Sequence, residues 1–280
     1  SFCTRQICAL HKFAEFEESM VISMKKGILV ASFGTTFENA RELNIDAIVN
    51  DVKNQYPQIP VYETYTSNRV RKVLRNKNGI YKDSVSEALE KMYQNKITDV
   101  VILVTHIIDG IESNQIKNTV KEYCDKFDSV KVSDVLLGTD ADYKEVAKVV
   151  YKNLSDIVGN DKLVFMGHGT FHNADENYLR LENVLRRETK MDVYVATVNG
   201  DMKIQDVIGR IKHKEGSKRV VITPFMLVAG KHAINDMVGD EDSFKTRLEH
   251  EGFTTDCILK GLGEYSQIRD IYLEHLRKLL

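Results

Sequence analysis

Two histidines stand where apolar runs give way to glycine. His168 lies between Gly167 and Gly169 in VFMGHGTFH (Val164–His172), and His232 follows Gly230 in MLVAGKHAINDM (Met226–Met237). A carboxylate, Glu112, comes two residues after Gly110 in VVILVTHIIDGIE (Val100–Glu112). Two imidazoles and a carboxylate meeting in one cleft can hold a divalent ion of the first transition row, because N/O ligation suits cobalt, iron, nickel or zinc. The same groups can move protons, since imidazole titrates near neutrality. There is no HExxH string, so such ligands have to come from separate strand ends. The local string around His168 equally fits a turn histidine. Glycines on both sides of it remove Cβ atoms, and the expectation is that this clears space for a broad, flat ligand.

The elements that must position these residues alternate from Gly27 onward. Short runs rich in β-branched residues (GILVAS, VVILVT, SVKVSDVLL, KLVFMG, DVYVATV, RVVITPF, TTDCIL) are separated by amphipathic segments such as DSVSEALEKMYQ and NYLRLENVLRRE. Strands that read as continuous apolar runs are buried on both faces, which calls for a parallel sheet covered by helices. The pattern also repeats. Ala31–Phe37 matches Met166–His172, so Phe33 falls on His168; Val100–Glu112 lies over Val220–His232, so Glu112 falls on His232; Ser133–Tyr143 lies over Thr255–Tyr265. The fold class is therefore α/β, with two similar Rossmann-like lobes, residues 24–155 and 156–280, facing a central cleft. Ligands of such sheets bind at the carboxyl ends of the strands. The matched loops should thus converge, with Glu112 facing His168 and His232. Residues 1–23 read as an N-terminal extension with a short helix over HKFAEFEESM.

Composition narrows the classes further. The chain has 280 residues, 39 basic against 41 acidic side chains, and a formal net charge of −2. That balance leaves no broad footprint for nucleic acid or an anionic membrane. No apolar run approaches the roughly 20 residues of a membrane span. The four cysteines are scattered, which fits a reducing, cytoplasmic setting. SFGTT and GHGTF lack the P-loop lysine, GLGEYS lacks the third glycine of a dinucleotide turn, and no GxSxG elbow occurs.

SFGTT, YTS (Tyr65–Ser67), THIIDGIE, VFMGHG, MLVAGKHAINDM and GLGE come in the order seen in the anaerobic sirohydrochlorin cobaltochelatases of the CbiK type, which the chain resembles from Met24 to Leu280. The resemblance implies two Rossmann-like lobes around a tetrapyrrole and ATP-independent insertion of Co2+ into sirohydrochlorin, with Fe2+ or Ni2+ as other candidate metals and no nucleotide. It implies that His168 is proton acceptor and metal ligand, His232 the second ligand, and Glu112 a catalytic and ligating carboxylate. The substrate-binding set is Ser32, Phe33, Gly34, Thr35, Thr66, Ser67, His106 and Gly169, although His106 reads equally as a helix-capping turn residue. One departure stands out. Where the family commonly has a ligating glutamate in a TVEG string, this chain has ATVNG, and Asn199 takes that place without bringing a charge. The tetrapyrrole is the expected partner, and a homo-oligomer is compatible with the sequence. An iron or nickel chelatase, a non-catalytic haem or tetrapyrrole carrier, and a two-lobed metal-binding protein are the rival readings. Of the remaining candidates, His213, His250 and His275 read as solvated. Asn235 and Asp236 read as helix caps. Lys231, Arg69 and Arg71 either meet substrate carboxylates or face solvent.

Overall fold

The computed structural model describes residues 25–169 and 174–280, with side chains from 176 onward in the second span. The extension and its expected helix, and His172, lie outside the described residues. Among those described, eight strands form two parallel sheets: β1 (Lys26–Ser32), β2 (Val61–Tyr65), β3 (Asp99–Val104) and β4 (Ser129–Val132) in the order β2-β1-β3-β4, and β5 (Lys162–Gly167), β6 (Asp192–Thr197), β7 (Arg219–Pro224) and β8 (Thr254–Cys257) in the order β6-β5-β7-β8. The helices are α1 (Ala47–Gln55, entered through a π-helical turn at Glu42–Asp46), α2 (Asn68–Asn78), α3 (Val85–Gln94), α4 (Ile111–Tyr123), α5 (Asp140–Val158), α6 (Ala174–Thr189), α7 (Ile204–Lys212), α8 (Phe244–His250) and α9 (Ser266–Arg277).

The runs of β1, β3, β5, β6 and β7 become strands buried on both faces, whereas the edge strands β4 and β8 stay partly exposed, and alternation of side chains divides the buried residues between two cores. Ile28 and Val30 of β1 join Leu163 and Phe165 of β5 in one cluster that also takes in Val146 and Val150 of α5 and Ile268 and Tyr272 of α9. Leu29 and Ala31 face the other way, into a cluster with Leu89 and Met92 of α3. Each such side chain contributes roughly 1.5–3 kcal/mol on burial, so the two sheets are joined by a shared apolar layer rather than by a tether.

Two of the helices in that layer, α5 and α9, tie the lobes together. α5 leaves the first sheet through a capping box, in which Thr139 and Asp142 satisfy each other's backbone N–H groups. It then packs on α6 of the second lobe. α9 packs on β3 and α5. The lobe boundary read from the sequence, between residues 155 and 156, falls inside α5.

The repeat is visible in the pairing. Ala31 is opposite Val104 as Met166 is opposite Pro224, so the first two sequence matches are in register. The third is not. Ile102 is opposite Val132 and Ile222 opposite Cys257, an offset of 125 between Val132 and Cys257. Ser133 over Thr255 is an offset of 122, so that match is three residues out. The look-alike strings DVLL and DCIL concealed the slip.

Candidate active site

β5 is a central strand, flanked by β6 and β7, and its carboxyl end delivers His168 to the cleft edge, half-buried. The imidazole Nδ1 lies 2.9 Å from the Gly169 carbonyl oxygen. A carbonyl can only accept, so Nδ1 carries the proton and Nε2 keeps its lone pair. His232 sits at the entry of a π-helical turn, Ala233–Met237. Its Nδ1 is 2.6 Å from Asp236 Oδ2, an arrangement that also leaves Nε2 free. The two rings stand edge to face, with centroids 4.9 Å apart and planes at 86°.

The glycines around His168 answer to the protein rather than to a ligand. A Cβ on Gly167 would lie 2.6 Å from the Tyr178 ring. One on Gly169, whose φ is +72°, would lie 2.4 Å from the Gly200 backbone nitrogen. Close packing fills the space that the sequence suggested was cleared for a flat molecule. The approach of Gly200 has its own consequence: the Asn199 N–H donates to the His168 carbonyl at 2.9 Å, which fixes Asn199 beside that histidine.

The first lobe presents a different lining. Ser32 is buried, with its Oγ accepting from Thr105 Oγ1 at 2.9 Å. Phe33 is exposed, as are Phe37, Ile111 and Ile234. Gly34 has φ +97° and lies so close to Tyr65 that a Cβ would sit 2.5 Å from its ring. Thr35 is buried, and its Oγ1 accepts from the Phe37 N–H at 3.2 Å. A Cβ on Gly230 would lie 3.6 Å from Thr35 Oγ1, so the Gly230 loop of the second lobe faces the Thr35 loop of the first. Ser67 is the N-cap of α2, with its hydroxyl oxygen accepting from the Val70 N–H. Thr66 Oγ1 is 3.3 Å from His106 Nε2. His106 Nδ1 is buried and has no hydrogen-bond partner among the described residues, and burial pushes its pKa down to about 4. The ring is therefore neutral near pH 7. It caps no helix.

The structure thus brings His168, His232 and Asn199 together, and Thr66 with His106. Glu112 occupies the first turn of α4, half-buried. Among the described residues no three His, Cys, Asp or Glu side chains stand close enough to hold one ion. The expected trio of His168, His232 and Glu112 is reduced to an imidazole pair. The carboxylate belongs to the other lobe, so its distance depends on how the lobes sit rather than on local chain geometry.

Sequence reasoning missed Asp236, read as a cap, although its spacing of four from His232 is a legible signal for a helical pair. His275, expected in solvent, is buried on α9 with Nε2 2.8 Å from Asp142 Oδ1. Arg71 is paired with Glu87 at 3.6 Å. The GLGE string is a seam between the lobes: a Cβ on Gly261 would lie 2.4 Å from Asn44 Oδ1, and one on Gly263 2.8 Å from Asn44 Cβ.

Comparison with known proteins gives the same answer from two directions. The family described as Cobalt chelatase (CbiK) matches residues 26–280. The sirohydrochlorin cobaltochelatase of Salmonella typhimurium is 33% identical over 258 residues, covering 92% of this chain and 97% of that protein. Sirohydrochlorin cobaltochelatase CbiKC of Nitratidesulfovibrio vulgaris is 33% identical over 259 residues, covering 90% and 89%. Among solved structures, SirB from Bacillus subtilis with Fe3+ has a TM-score of 0.65 at 14% identity, covering 91% of this chain and 96% of that one. At such identity the likeness speaks for the fold.

Proposed function

Because the chain belongs to the cobalt chelatase (CbiK) family, we propose that it inserts Co2+ into sirohydrochlorin without a nucleotide, using His168 as the base. Two pyrrole N–H protons leave as the 2+ ion enters, so charge is conserved on the macrocycle. His168 and His232 offer Nε2 lone pairs from rings 4.9 Å apart, and metal–nitrogen bonds of about 2.1 Å suit an ion shared between them. As the ion passes from His168 to the ring nitrogens, the freed Nε2 lone pair accepts a pyrrole proton and the half-exposed imidazole passes it to water, the second proton leaving by the same route. Placing base and ion together is electrostatically sound, because the incoming charge lowers the pKa of the departing protons. His106 is a poor base with a pKa near 4 and serves instead to contact the ring beside Thr66.

The ring lies against Phe33 and Gly34 on one side and His168 on the other, with the buried Ser32, Thr35 and Gly169 supporting those walls and Ser67 at the edge. Binding energy in the cleft offsets the deformation that exposes the pyrrole lone pairs. Glu112 closes on the ion from the opposite lobe, and Asn199 contributes an uncharged oxygen where a carboxylate would bind more tightly. The observation that carries this reading is the engagement of both Nδ1 atoms by acceptors, which leaves two Nε2 lone pairs at one cleft edge. The test is to mix the protein with sirohydrochlorin and Co2+, Fe2+ or Ni2+ separately and follow the absorption spectrum. Accelerated metallation with Co2+ ahead of the others is the expected result. Spectral change without metallation in all three would mark a carrier instead.

A further inference from the structure

We infer that Asp236 is a positioning residue, which sets the His232 ring so that its Nε2 anchors the incoming ion. Three independent features support it. The Asp236 carboxylate lies 2.6 Å from His232 Nδ1, and among the described residues no cation pairs with it. The turn that holds both is pinned from beneath: Ala233 and Met237, one residue further along from each, are fully buried. The exit of the turn is equally fixed, since Gly239 donates to the Asn235 carbonyl and a Cβ there would lie 2.3 Å from that oxygen. The backbones of the pair therefore cannot drift apart without unseating the turn.

The two imidazoles are held by different acceptors, and this divides their labour. His168 donates to a neutral carbonyl, His232 to a carboxylate. A charge-assisted bond at Nδ1 fixes the tautomer and makes the opposite nitrogen a stronger donor to a metal. His232 is thus the firmer ligand. His168 is the looser one, left free to take a proton. This deepens the chelatase reading and rests on it only for the kinetic part of the test.

The test compares the full chain with Asp236→Ala and Asp236→Asn. In the unaltered protein, 15N NMR should show His232 as the Nδ1–H tautomer, and the alanine variant should lose that preference. Calorimetric titration with Co2+ alone should show affinity falling by about tenfold or more in Asp236→Ala, with a smaller loss in Asp236→Asn, whose amide oxygen still accepts. With sirohydrochlorin, kcat should fall while KM for the tetrapyrrole holds. Melting temperature should stay put. Unchanged Co2+ affinity in both variants would overturn the inference, and if the alanine variant fails to fold, unchanged affinity in Asp236→Asn does so alone. Protein that binds Co2+ but never metallates sirohydrochlorin would sink the chelatase reading while leaving the tautomer and affinity comparisons intact.

Discussion

In the first lobe the chain leaving β1 carries Phe33, and in the second the chain leaving β5 carries His168. Their backbones are the same. The Thr66 and Ser67 N–H groups donate to the carbonyls of Ser32 and Phe33, and those of Val198 and Asn199 donate to Gly167 and His168. Likewise Thr105 donates to Ala31, and Phe225 to Met166. Through these bonds Ser67 corresponds to Asn199, and the in-register strands set His106 against Met226 and Glu112 against His232. A duplicated scaffold has kept its hydrogen bonds and divided its chemistry. One lobe offers an exposed phenyl ring and a carboxylate, the other a pair of imidazoles. After Glu112 the chain runs on as a regular α-helix in which Ile116 is buried. After His232 it makes a π-helical turn that returns a carboxylate to the imidazole. The backbone thus sets where chemistry can occur, and a few side chains decide which half performs it.

The largest effect should come from erasing the contrast at its centre. His168→Phe copies the first lobe into the second and should lower Co2+ insertion at least a hundredfold, the usual scale for a lost general base. Steady-state rates on folded variant decide it. A rate above a tenth of normal, under about 1.4 kcal/mol in barrier, would remove His168 from the mechanism.

His106→Met makes the reverse copy and acts on stability. The folded pKa of His106, about 4, lies below its unfolded value of 6.5. The unfolded chain then binds the proton more readily, so stability is full above about pH 6.5 and falls as pH drops toward 4. The loss is on the order of 3 kcal/mol. Denaturant titrations across this interval should show a shallower acid decline for His106→Met than for the unaltered chain. Parallel declines would mean that this imidazole is not held neutral.

Gly169→Ala and Gly34→Ala probe equivalent left-handed positions. A Cβ at Gly169 meets backbone at Gly200, which cannot yield, whereas at Gly34 it meets the Tyr65 ring, which can tilt. Losses of about 2 and about 1 kcal/mol are expected, read from denaturant midpoints. Equal losses would erase the distinction.

Asn199→Glu should tighten Co2+ binding, because a charged ligand replaces a neutral one, whereas Ser67→Glu at the corresponding place should not. Unchanged affinity and unchanged insertion rate for Asn199→Glu would show that this position does not tune the metal.

Much of the scaffold was legible because its signals are local. Buried parallel strands need unbroken runs such as VVILV and KLVFMG, and the repeat followed from strings of equal length. What escaped was set by contacts far apart in sequence. Gly167 and Gly169 are glycines because of Tyr178 and Gly200, and His275 is buried because α9 crosses to Asp142. Gly169 and Gly200, like Asp142 and His275, are too far apart for any local window to hold both. The third repeat slipped because apolar identity at strand ends is degenerate, while register is decided by pairing. At the candidate site the two histidines were readable from their glycine-flanked strings. Their orientation was not, since it depends on which acceptor each Nδ1 finds.

The return of α9 bears on how the molecule comes into being. Tyr272 donates its hydroxyl to the Thr105 carbonyl, 167 residues earlier, and Lys26 reaches the Leu280 carbonyl, 254 residues away. A chain made from its N-terminus forms β1 to β4 long before α9 leaves the ribosome. Until then the face of the first sheet that carries Ile28, Val101 and Leu103 has Ile48 and Val52 of α1 and Val146 of α5 beside it but lacks Ile268 and Tyr272 of α9. Such an apolar surface is what chaperones hold and what aggregation exploits. Contacts spanning this much chain also slow the search for the native state. The first lobe's apolar layer is therefore completed only when the second half is made.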